Sequence, residues 1–241
     1  ALAVRIAPAC RRLVISSRRT EELERLRSAL APADVIPAPL ELACDASIAA
    51  ALDQLADTKV DVLINCAGVS QRGTFVETDV DVFRTMVEVN LLGTASLTHA
   101  VAKSMVARGD GHLVAVTSLA GVVGAYRRSG YAAAKHGLHG LFDSLRPELA
   151  GTGVRVSVVV PGFVRTAISD NALLPDGSAH AKTDARQATG MSADRCATKM
   201  LRALAHRRDE YRVAMGLMGT LTIMLRRIAP RLLWKLMRRF G

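Results

Sequence analysis

A tyrosine and a lysine stand four residues apart in the segment YAAAK, residues 131–135. If this segment is helical, the phenol of Tyr131 and the ammonium of Lys135 lie on one face and can point into one cleft. A tyrosine in water has a pKa of about 10, and a neighbouring cation favours the phenolate and lowers that pKa. The pair therefore predicts a proton-transfer device, although the spacing alone is also that of an ordinary surface pair.

Other polar residues and glycines follow apolar runs of the sequence. Residues 65–68 (NCAG) end one run, Ser118 ends a second, and Pro161-Gly162 ends a third. Each has a structural explanation on its own, because strand ends need turn residues and helix caps. The order along the chain favours a functional explanation for the set as a whole, which comprises Asn65, Asn90, Ser118, Tyr131, Lys135, Pro161 and Gly162.

The elements that must position these residues follow from the hydrophobic pattern. We predict strands at 12–17, 35–42, 60–65, 112–118, 155–160 and 211–215. We predict helices at 21–30, 48–55, 82–108, 131–149 and 192–205. This alternation predicts an α/β fold, with a doubly wound parallel sheet between two helical layers in a three-layer α/β/α arrangement. Ligands of such sheets bind beyond the carboxyl ends of the strands, where the polar residues stand.

The ordered set resembles the short-chain dehydrogenase/reductase family over roughly residues 1–215. The resemblance implies a Rossmann-like fold, NAD(P)(H) as coenzyme, a carbonyl or alcohol as small-molecule substrate, and a dimer or tetramer. It implies that Tyr131 donates the proton, that Lys135 lowers its pKa and binds the nicotinamide ribose, and that Ser118 binds the substrate oxygen. Asn90 would hold a water of the proton relay. The implied coenzyme contacts are Asn65, Ala67, Gly68, Asn90, Tyr131, Lys135, Pro161, Gly162, Val164 and Thr166.

One family element is missing from the sequence. The family opens with a strand, a TGxxxGxG turn and a helix, whose backbone amides bind the pyrophosphate. Here no glycine precedes Gly68, and the sequence starts at Ala1 with what looks like the interior of that helix. We therefore expect the first strand, which is central in the family's sheet, to be missing. Either the sequence is truncated, or the chain is a catalytically impaired binding or scaffold protein that keeps the fold.

Two arginines bear on the choice of coenzyme. Arg18 and Arg19 follow the strand at 12–17, where the family contacts the adenosine ribose. A guanidinium there can pair with a 2′-phosphate, so the resemblance favours NADP(H) over NAD(H). A solvated helix start is the alternative. Leu173, Leu174 and the Met-rich segment 215–224 indicate an apolar substrate.

Charge and composition limit the remaining classes of function. The chain has 241 residues and a formal net charge of +10, with much of the excess near its end. We expect one catalytic domain at 1–215 and a basic helical extension at 216–241, broken near Pro230. Its residues 219–240 would lie on an anionic membrane, or else line the substrate pocket or contact a second subunit. We expect no metal site, no nucleic-acid partner and a cytoplasmic location, with membrane association as an open alternative.

Overall fold

The computed structural model describes residues 1–206, 210–213 and 216–240. Its strands are β1 Leu13–Ser17, β2 Val35–Pro39, β3 Val62–Asn65, β4 Gly111–Val116, β5 Val154–Pro161, β6 Val164–Arg165, β7 Met191–Ser192 and β8 Glu210–Val213. Its α-helices are α1 Leu2–Ile6, α2 Thr20–Ala29, α3 Asp45–Gln54, α4 Val80–Val87, α5 Gly93–Arg108, α6 Ser129–Glu148, α7 Ala185–Ala188, α8 Ala193–Ala205, α9 Gly216–Ile228 and α10 Pro230–Phe240.

Every pair of these strands is parallel, as predicted. The main sheet has the order β3-β4-β5-β8, while β1 pairs only with β2 and the short β6 only with β7. The helices α5 and α6 pack on one face of the main sheet and α8 packs on the other. The three-layer α/β/α prediction is confirmed by solved relatives described below.

Alternating side chains of the central strands explain why helices cover both faces. Leu113 and Ala115 of β4 pack with Met105 of α5 and Phe142 of α6. The intervening Val114 packs on the opposite face, in a cluster that also contains Cys196 and Met200 of α8. Successive side chains of a strand point to opposite faces. A central strand with apolar residues at successive positions therefore needs a helical layer on each side.

The strand β3 is less buried than the strands β4 and β5 of the same sheet. Val62 is 44% exposed, and the other three residues of β3 are only partly buried. The reason is that β3 pairs with β4 on one side and with no described strand on the other. A strand between β1 and β3 would find a partner on each side. The missing family strand was expected at that position, and this expectation stays a prediction.

The long helix predicted at 82–108 contains one irregular turn. Residues Glu88–Leu92 form a π-helical turn between α4 and α5, and this turn includes Asn90. Single π turns within α-helices occur frequently at functional sites. Gly93 follows, where an added Cβ would lie 2.0 Å from the carbonyl oxygen of Leu42. Only glycine therefore allows α5 to begin against the chain that follows β2.

The extension consists of two helices that meet at Ala229. Pro230 begins α10, so the helix break predicted near that residue is found there. Leu233 of α10 is buried, whereas Ile228 and Trp234 are exposed. Residues 214 and 215, at the proposed domain boundary, lie outside the described residues. Among the helices that the structure describes, none is long and apolar enough to cross a bilayer.

His112 gives a pH-dependent stability that can be measured. It is buried in β4, its Nε2 lies 2.8 Å from Ser157 Oγ, and burial followed by the charge of Arg155 lowers its pKa from 6.5 to about 4. The unfolded chain therefore binds more protons between these values, and stability falls as pH falls through this window. We expect a loss of about 3 kcal/mol in the free energy of unfolding, measured by urea denaturation.

The controls for this prediction are two histidine variants. His112→Gln removes the titrating group, so its stability should change much less between pH 6.5 and pH 4. His99→Gln, at an exposed position of α5, should keep the wild-type pH dependence. An unchanged slope in the His112 variant would show that another group causes the loss.

Candidate active site

The carboxyl ends of β3, β4 and β5 meet at one edge of the main sheet. Asn65, which ends β3, is paired with Ala115, and Val116, which ends β4, is paired with Val159. Two residues beyond β4, the Ser118 hydroxyl accepts a hydrogen bond from the Ala120 amide at 3.1 Å. This bond caps a short 3-10 turn and fixes the hydroxyl at the sheet edge.

Helix α6 brings the predicted pair to this edge. Tyr131 and Lys135 are both buried, and Lys135 Nζ lies 5.9 Å from the centre of the Tyr131 ring. The ammonium donates a hydrogen bond to the carbonyl oxygen of Val116 at 3.2 Å. Hydrogen bonding with the Ser118 side chain acts to lower the pKa of the Tyr131 phenol, which places the two groups side by side. Phenol, ammonium and serine hydroxyl therefore occupy one cleft, as the spacing predicts.

A residue far away in sequence holds the start of α6. The first amides of a helix have no partner within the helix, and here no side chain caps α6 from its N-cap position at Arg128. Instead, Gln71 Oε1 accepts a hydrogen bond from the Tyr131 amide at 3.1 Å. Gly130 permits this approach, since an added Cβ would lie 2.8 Å from that oxygen. The loop after β3 thus positions the catalytic candidate Tyr131.

Asn90 fixes the loop that begins at Gly68. Its Oδ1 accepts a hydrogen bond from the Val69 amide at 3.2 Å, and its Nδ2 donates to Val69 O at 3.0 Å and to Met86 O at 2.9 Å. An asparagine amide has two donors, so these bonds use both of them. A Cβ on Gly68 would lie 2.6 Å from Asn90 Oδ1 and 3.3 Å from Lys135 Nζ. Asn90 therefore lies at the predicted site, next to Gly68.

Burial dominates the electrostatics of the site. It raises the pKa of Tyr131, and this effect outweighs the Ser118 hydrogen bond and the charges of Arg128 and Arg72, which lower it. Burial also lowers the pKa of Lys135 from 10.5 to about 8. The raised pKa of Tyr131 is the net result, with burial as its largest cause, and the expectation that Lys135 lowers this pKa stays a prediction. The phenol is packed among Met86, Ala120 and Ala132, and this apolar packing stabilises its neutral form.

An ion-pair network beside the site was missed by the sequence analysis. Arg72 is buried and forms a two-point ion pair with Asp184, which also accepts hydrogen bonds from Arg128 at 2.8 Å and Ser169 at 3.2 Å. Burial would raise the pKa of the Asp184 carboxyl. The hydrogen bond and charge of Arg72, with the charge of Arg128, outweigh this and hold the pKa below its usual value.

This network connects three loops around Tyr131. Arg72 follows β3, Arg128 directly precedes α6, and Asp184 belongs to the segment between β6 and α7. The Leu173 amide of that segment also donates to Ser70 O at 2.8 Å. Leu173 packs against the cluster that contains Tyr131, as expected for an apolar wall of the site. No sequence signal identifies an ion pair that spans 112 residues.

Comparison with known proteins identifies the family. A family model described as short chain dehydrogenase matches residues 1–175. This chain is a member of the short-chain dehydrogenase/reductase family. The family resemblance drawn from residues 65–68, Ser118 and the YAAAK segment is thereby confirmed. Membership places the chain among oxidoreductases that interconvert CH–OH and C=O groups.

Two curated relatives show how much of the chain is shared. The dehydrogenase/reductase SDR family protein 7-like of Drosophila melanogaster is 36% identical over 234 residues, which cover 94% of this chain and 72% of that protein. Dehydrogenase/reductase SDR family member 7B of Danio rerio is 42% identical over 178 residues, 74% of this chain and 57% of that protein. The chain thus spans little more than half the length of the Danio rerio relative.

Solved structures share the fold and contain nicotinamide coenzymes. A short-chain dehydrogenase from Sphingobium yanoikuyae in complex with NADPH has a TM-score of 0.78 at 25% identity, over 97% of this chain and 89% of that one. A short chain dehydrogenase/reductase from Burkholderia phymatum in complex with NAD has a TM-score of 0.83 at 25% identity, over 96% and 89%. These neighbours bind either coenzyme, so they do not distinguish NADP from NAD.

The described residues fit a nicotinamide nucleotide at this edge. Cys66, Ala67 and Gly68 are exposed after β3, and the absence of a Cβ at Gly68 lets Asn90 and Lys135 pack closely against this turn. An ammonium has three donors, and the bond to Val116 O uses one of those of Lys135. The other two suit the hydroxyls of a ribose.

The remaining candidate contacts divide into two groups. Asn65 uses its side chain within the fold, because Nδ2 donates to Thr98 Oγ1 at 3.0 Å and to Val114 O at 3.4 Å. After Pro161-Gly162, the segment from Val164 to Thr166 is held by Gln187, whose Nε2 donates to Val164 O and, at 3.4 Å, to Thr166 Oγ1. Gln187 is buried and was not expected from the sequence.

Arg18 and Arg19 follow the carboxyl end of β1. Arg18 is within 3.5 Å of Glu41 Oε2 and Arg19 within 2.8 Å of Glu22 Oε2. Both guanidiniums are well exposed. Exposed ion pairs of this kind contribute little to stability, so either arginine can exchange its carboxylate for another anion at small cost.

Filling the space at Gly68 should damage the site. Gly68→Ala would place a methyl group against Asn90 Oδ1 and Lys135 Nζ. We expect the affinity for NADPH, measured by coenzyme fluorescence, to fall by roughly tenfold or more, which corresponds to about 1.4 kcal/mol. Gly140→Ala on α6 is the matched control, because nothing lies within 4 Å of its added Cβ. That variant should bind NADPH as the wild type does, and equal affinities in both variants would contradict the fit.

Proposed function

We propose that this chain is an NADP(H)-preferring carbonyl reductase or alcohol dehydrogenase that acts on an apolar ketone, aldehyde or alcohol. The observation that carries the proposal is the shared cleft of Ser118, Tyr131 and Lys135 at the carboxyl edge of the main sheet. Tyr131, Lys135, Ser118 and Asn90 are the residues to which we assign the reaction.

The proposed reaction follows from the protonation states at this edge. A nicotinamide coenzyme supplies hydride to the carbonyl carbon when it is bound. Tyr131 donates its proton to the carbonyl oxygen, for which the phenol must be protonated, and burial stabilises that neutral form. Ser118 already bonds the Tyr131 side chain, so its hydroxyl is placed to bind the same oxygen. The Lys135 cation offsets negative charge as it develops on the phenol oxygen.

The preference for NADP(H) rests on Arg18 and Arg19. A guanidinium binds a phosphate with two parallel hydrogen bonds, and both side chains are exposed beyond β1. We expect Arg18→Gln with Arg19→Gln to weaken NADPH binding by roughly tenfold and to leave NADH binding unchanged. Arg12→Gln, which removes an exposed partner of Asp34, is the control. Equal losses for both coenzymes would contradict recognition of the 2′-phosphate.

The apolar substrate is supported by the walls around Tyr131. Val69, Ala125 and Leu173 pack against the cluster that contains Met86 and Tyr131. The Met-rich segment 215–224 adds no support. Met215 is outside the described residues, and Met224 is half exposed. The substrate proposal therefore rests on Leu173 and its neighbours.

Turnover separates the enzyme from the scaffold alternative. Purified chain is mixed with NADPH and a series of aliphatic and cyclic ketones, and the loss of reduced nicotinamide is followed by absorbance. The enzyme proposal expects consumption of NADPH with formation of an equal amount of alcohol. Binding of NADPH without consumption by any ketone would favour a scaffold role.

For partners, we propose a dimer or tetramer and a membrane contact through residues 219–240. Leu232 and Trp234 are exposed on α10 close to Arg231 and Lys235, and a basic helix with exposed apolar residues binds anionic lipid surfaces. Flotation with phosphatidylglycerol vesicles should fall in the double variant Arg231→Gln, Lys235→Gln. Arg12→Gln, Arg25→Gln removes the same charge elsewhere and should float as the wild type does. Equal flotation of all three proteins would contradict the contact.

A further inference from the structure

An open cavity lies between the catalytic helix α6 and the extension. Its volume is about 690 Å³, within the range of roughly 300–1,000 Å³ that is typical of small-molecule sites. Three parts of the chain form it: the turn before α6, one side of α6, and the helices α9 and α10. The lining residues are Gly124, Ala125, Tyr126, Ser129, Ala132, Ala133, His136, Arg226, Trp234, Met237 and Arg238.

This cavity is separate from the proposed reaction cleft. An α-helix turns by about 100° per residue, so Ser129, Ala133 and His136 lie on a flank of α6 roughly 130° away from Tyr131 and Lys135. None of the assigned catalytic residues lines the cavity. The two sites share a wall, because Ala132 and Ala125 belong to the cluster around Tyr131 and also line the cavity.

The lining combines apolar surface with positive charge. Ala132, Ala133 and Met237 supply apolar surface, and the aromatic residues Tyr126 and Trp234 are 55% and 54% exposed. Arg226 and Arg238 are the charged residues of the lining, which contains no acid. The sequence has no acidic residue after Glu210, so α9 and α10 hold no carboxylate to neutralise these guanidiniums.

The charge of the lining indicates the chemistry of one end of the ligand. Arg226 and Arg238 are guanidiniums, which bind carboxylate and phosphate oxygens through charged hydrogen bonds. They therefore indicate an oxygen-rich, negatively charged group.

We propose that this cavity binds an anionic amphiphile, a single hydrocarbon chain with a carboxylate or phosphate head. The hydrocarbon chain of this ligand lies against Ala132, Ala133 and the rings of Tyr126 and Trp234. Its anionic head pairs with Arg226 and Arg238. The site is distinct from the substrate cleft and does not depend on the redox role of Tyr131. Bound ligand would join the extension to the helix that carries Tyr131.

The fluorescence of Trp234 can report on ligand binding in the cavity. Trp234 is the single tryptophan of the chain, and it lines this site. Titration of the full chain with monomeric dodecyl phosphate or laurate should give a saturable blue shift of the Trp234 emission, because the half-exposed ring becomes covered. Dodecanol and inorganic phosphate, each lacking one half of the ligand, should bind at least tenfold more weakly or give no shift. Absence of a saturable shift with both anionic amphiphiles would overturn the proposal.

Charge-matched variants test which residues hold the head. Arg226→Gln and Arg238→Gln should each weaken dodecyl phosphate binding by about tenfold, as expected for loss of one charged hydrogen bond. Arg227→Gln removes the same charge next to Arg226 from a residue that does not line the cavity, and it should bind as the wild type does. Equal affinities in the three variants would overturn the assignment.

A cavity-filling variant and a titration with lipid vesicles test whether the amphiphile binds in this cavity or elsewhere. Ala133→Leu adds bulk at an exposed helical position that lines the site, so it should abolish binding without unfolding α6. Unchanged binding in this variant would place the ligand elsewhere. A Trp234 shift produced by phosphatidylglycerol vesicles but by no monomeric amphiphile would mean that the helices contact a membrane surface instead, and would overturn the cavity proposal.

Discussion

Replacing Tyr131 with phenylalanine should lower kcat for ketone reduction by between about 10²- and 10⁴-fold, the range that a general acid contributes. The variant loses the phenol proton and the hydrogen bond with Ser118, but it keeps the ring that packs among Met86, Ala120 and Ala132. The affinity for NADPH should therefore stay within a few-fold of the wild type. Steady-state assays of NADPH consumption and coenzyme fluorescence measure the two quantities separately.

The matched control for this variant is Tyr126→Phe. Tyr126 is a second tyrosine of the same region, but it is exposed and precedes α6. Loss of its hydroxyl should leave kcat for ketone reduction unchanged. If Tyr131→Phe retained wild-type turnover, or if both variants lost it equally, the assignment of Tyr131 as the proton donor would be refuted.

Removing the Asp184 carboxylate should cause a large loss of stability. Arg72 and Asp184 have side-chain exposures of 9% and 25%, so Asp184→Ala leaves a buried guanidinium without its counter-ion. We expect the free energy of unfolding, measured in urea, to fall by about 2–3 kcal/mol, below the usual cost for a fully buried pair because Asp184 is partly exposed. The kcat/KM for reduction should fall as well, since the network joins the loops around Tyr131.

A second two-point ion pair of the same chemistry is the control. Asp194 pairs with Arg5 through both Nε and a terminal nitrogen, but its side chain is 59% exposed. Solvent screens such a pair, so Asp194→Ala should leave stability and kcat/KM close to those of the wild type. Equal destabilisation by Asp184→Ala and Asp194→Ala would show that burial of Arg72 does not govern the effect.

The sequence predicted the parts of the site that depend on local spacing. The four-residue interval brings Tyr131 and Lys135 to one face of α6, and strand-end residues such as Ser118 meet at one sheet edge because the strands are parallel. These features need only helical periodicity and parallel pairing. The fold class was predictable for the same reason, since alternating strands and helices constrain topology strongly.

The rest of the site depends on contacts that no local pattern encodes. Gln71 caps α6 across 60 residues, and Arg72 reaches Asp184 across 112. The net rise in the pKa of Tyr131 was not predicted, because the neighbouring cation is visible in the sequence whereas the burial of the ring is not. The exposed side of β3 was missed for a similar reason, because strand pairing is a long-range property.

The most direct test of the central claim is the pH dependence of kcat/KM for ketone reduction by the wild-type chain. This parameter reports ionisations of the free enzyme, and reduction requires both a protonated Tyr131 and a charged Lys135. Because burial lowers the pKa of Lys135 to about 8 and raises that of Tyr131, kcat/KM should be level below pH 8 and fall above it. A value that stays level or rises above pH 8 would contradict a phenol and an ammonium that work together in one buried cleft.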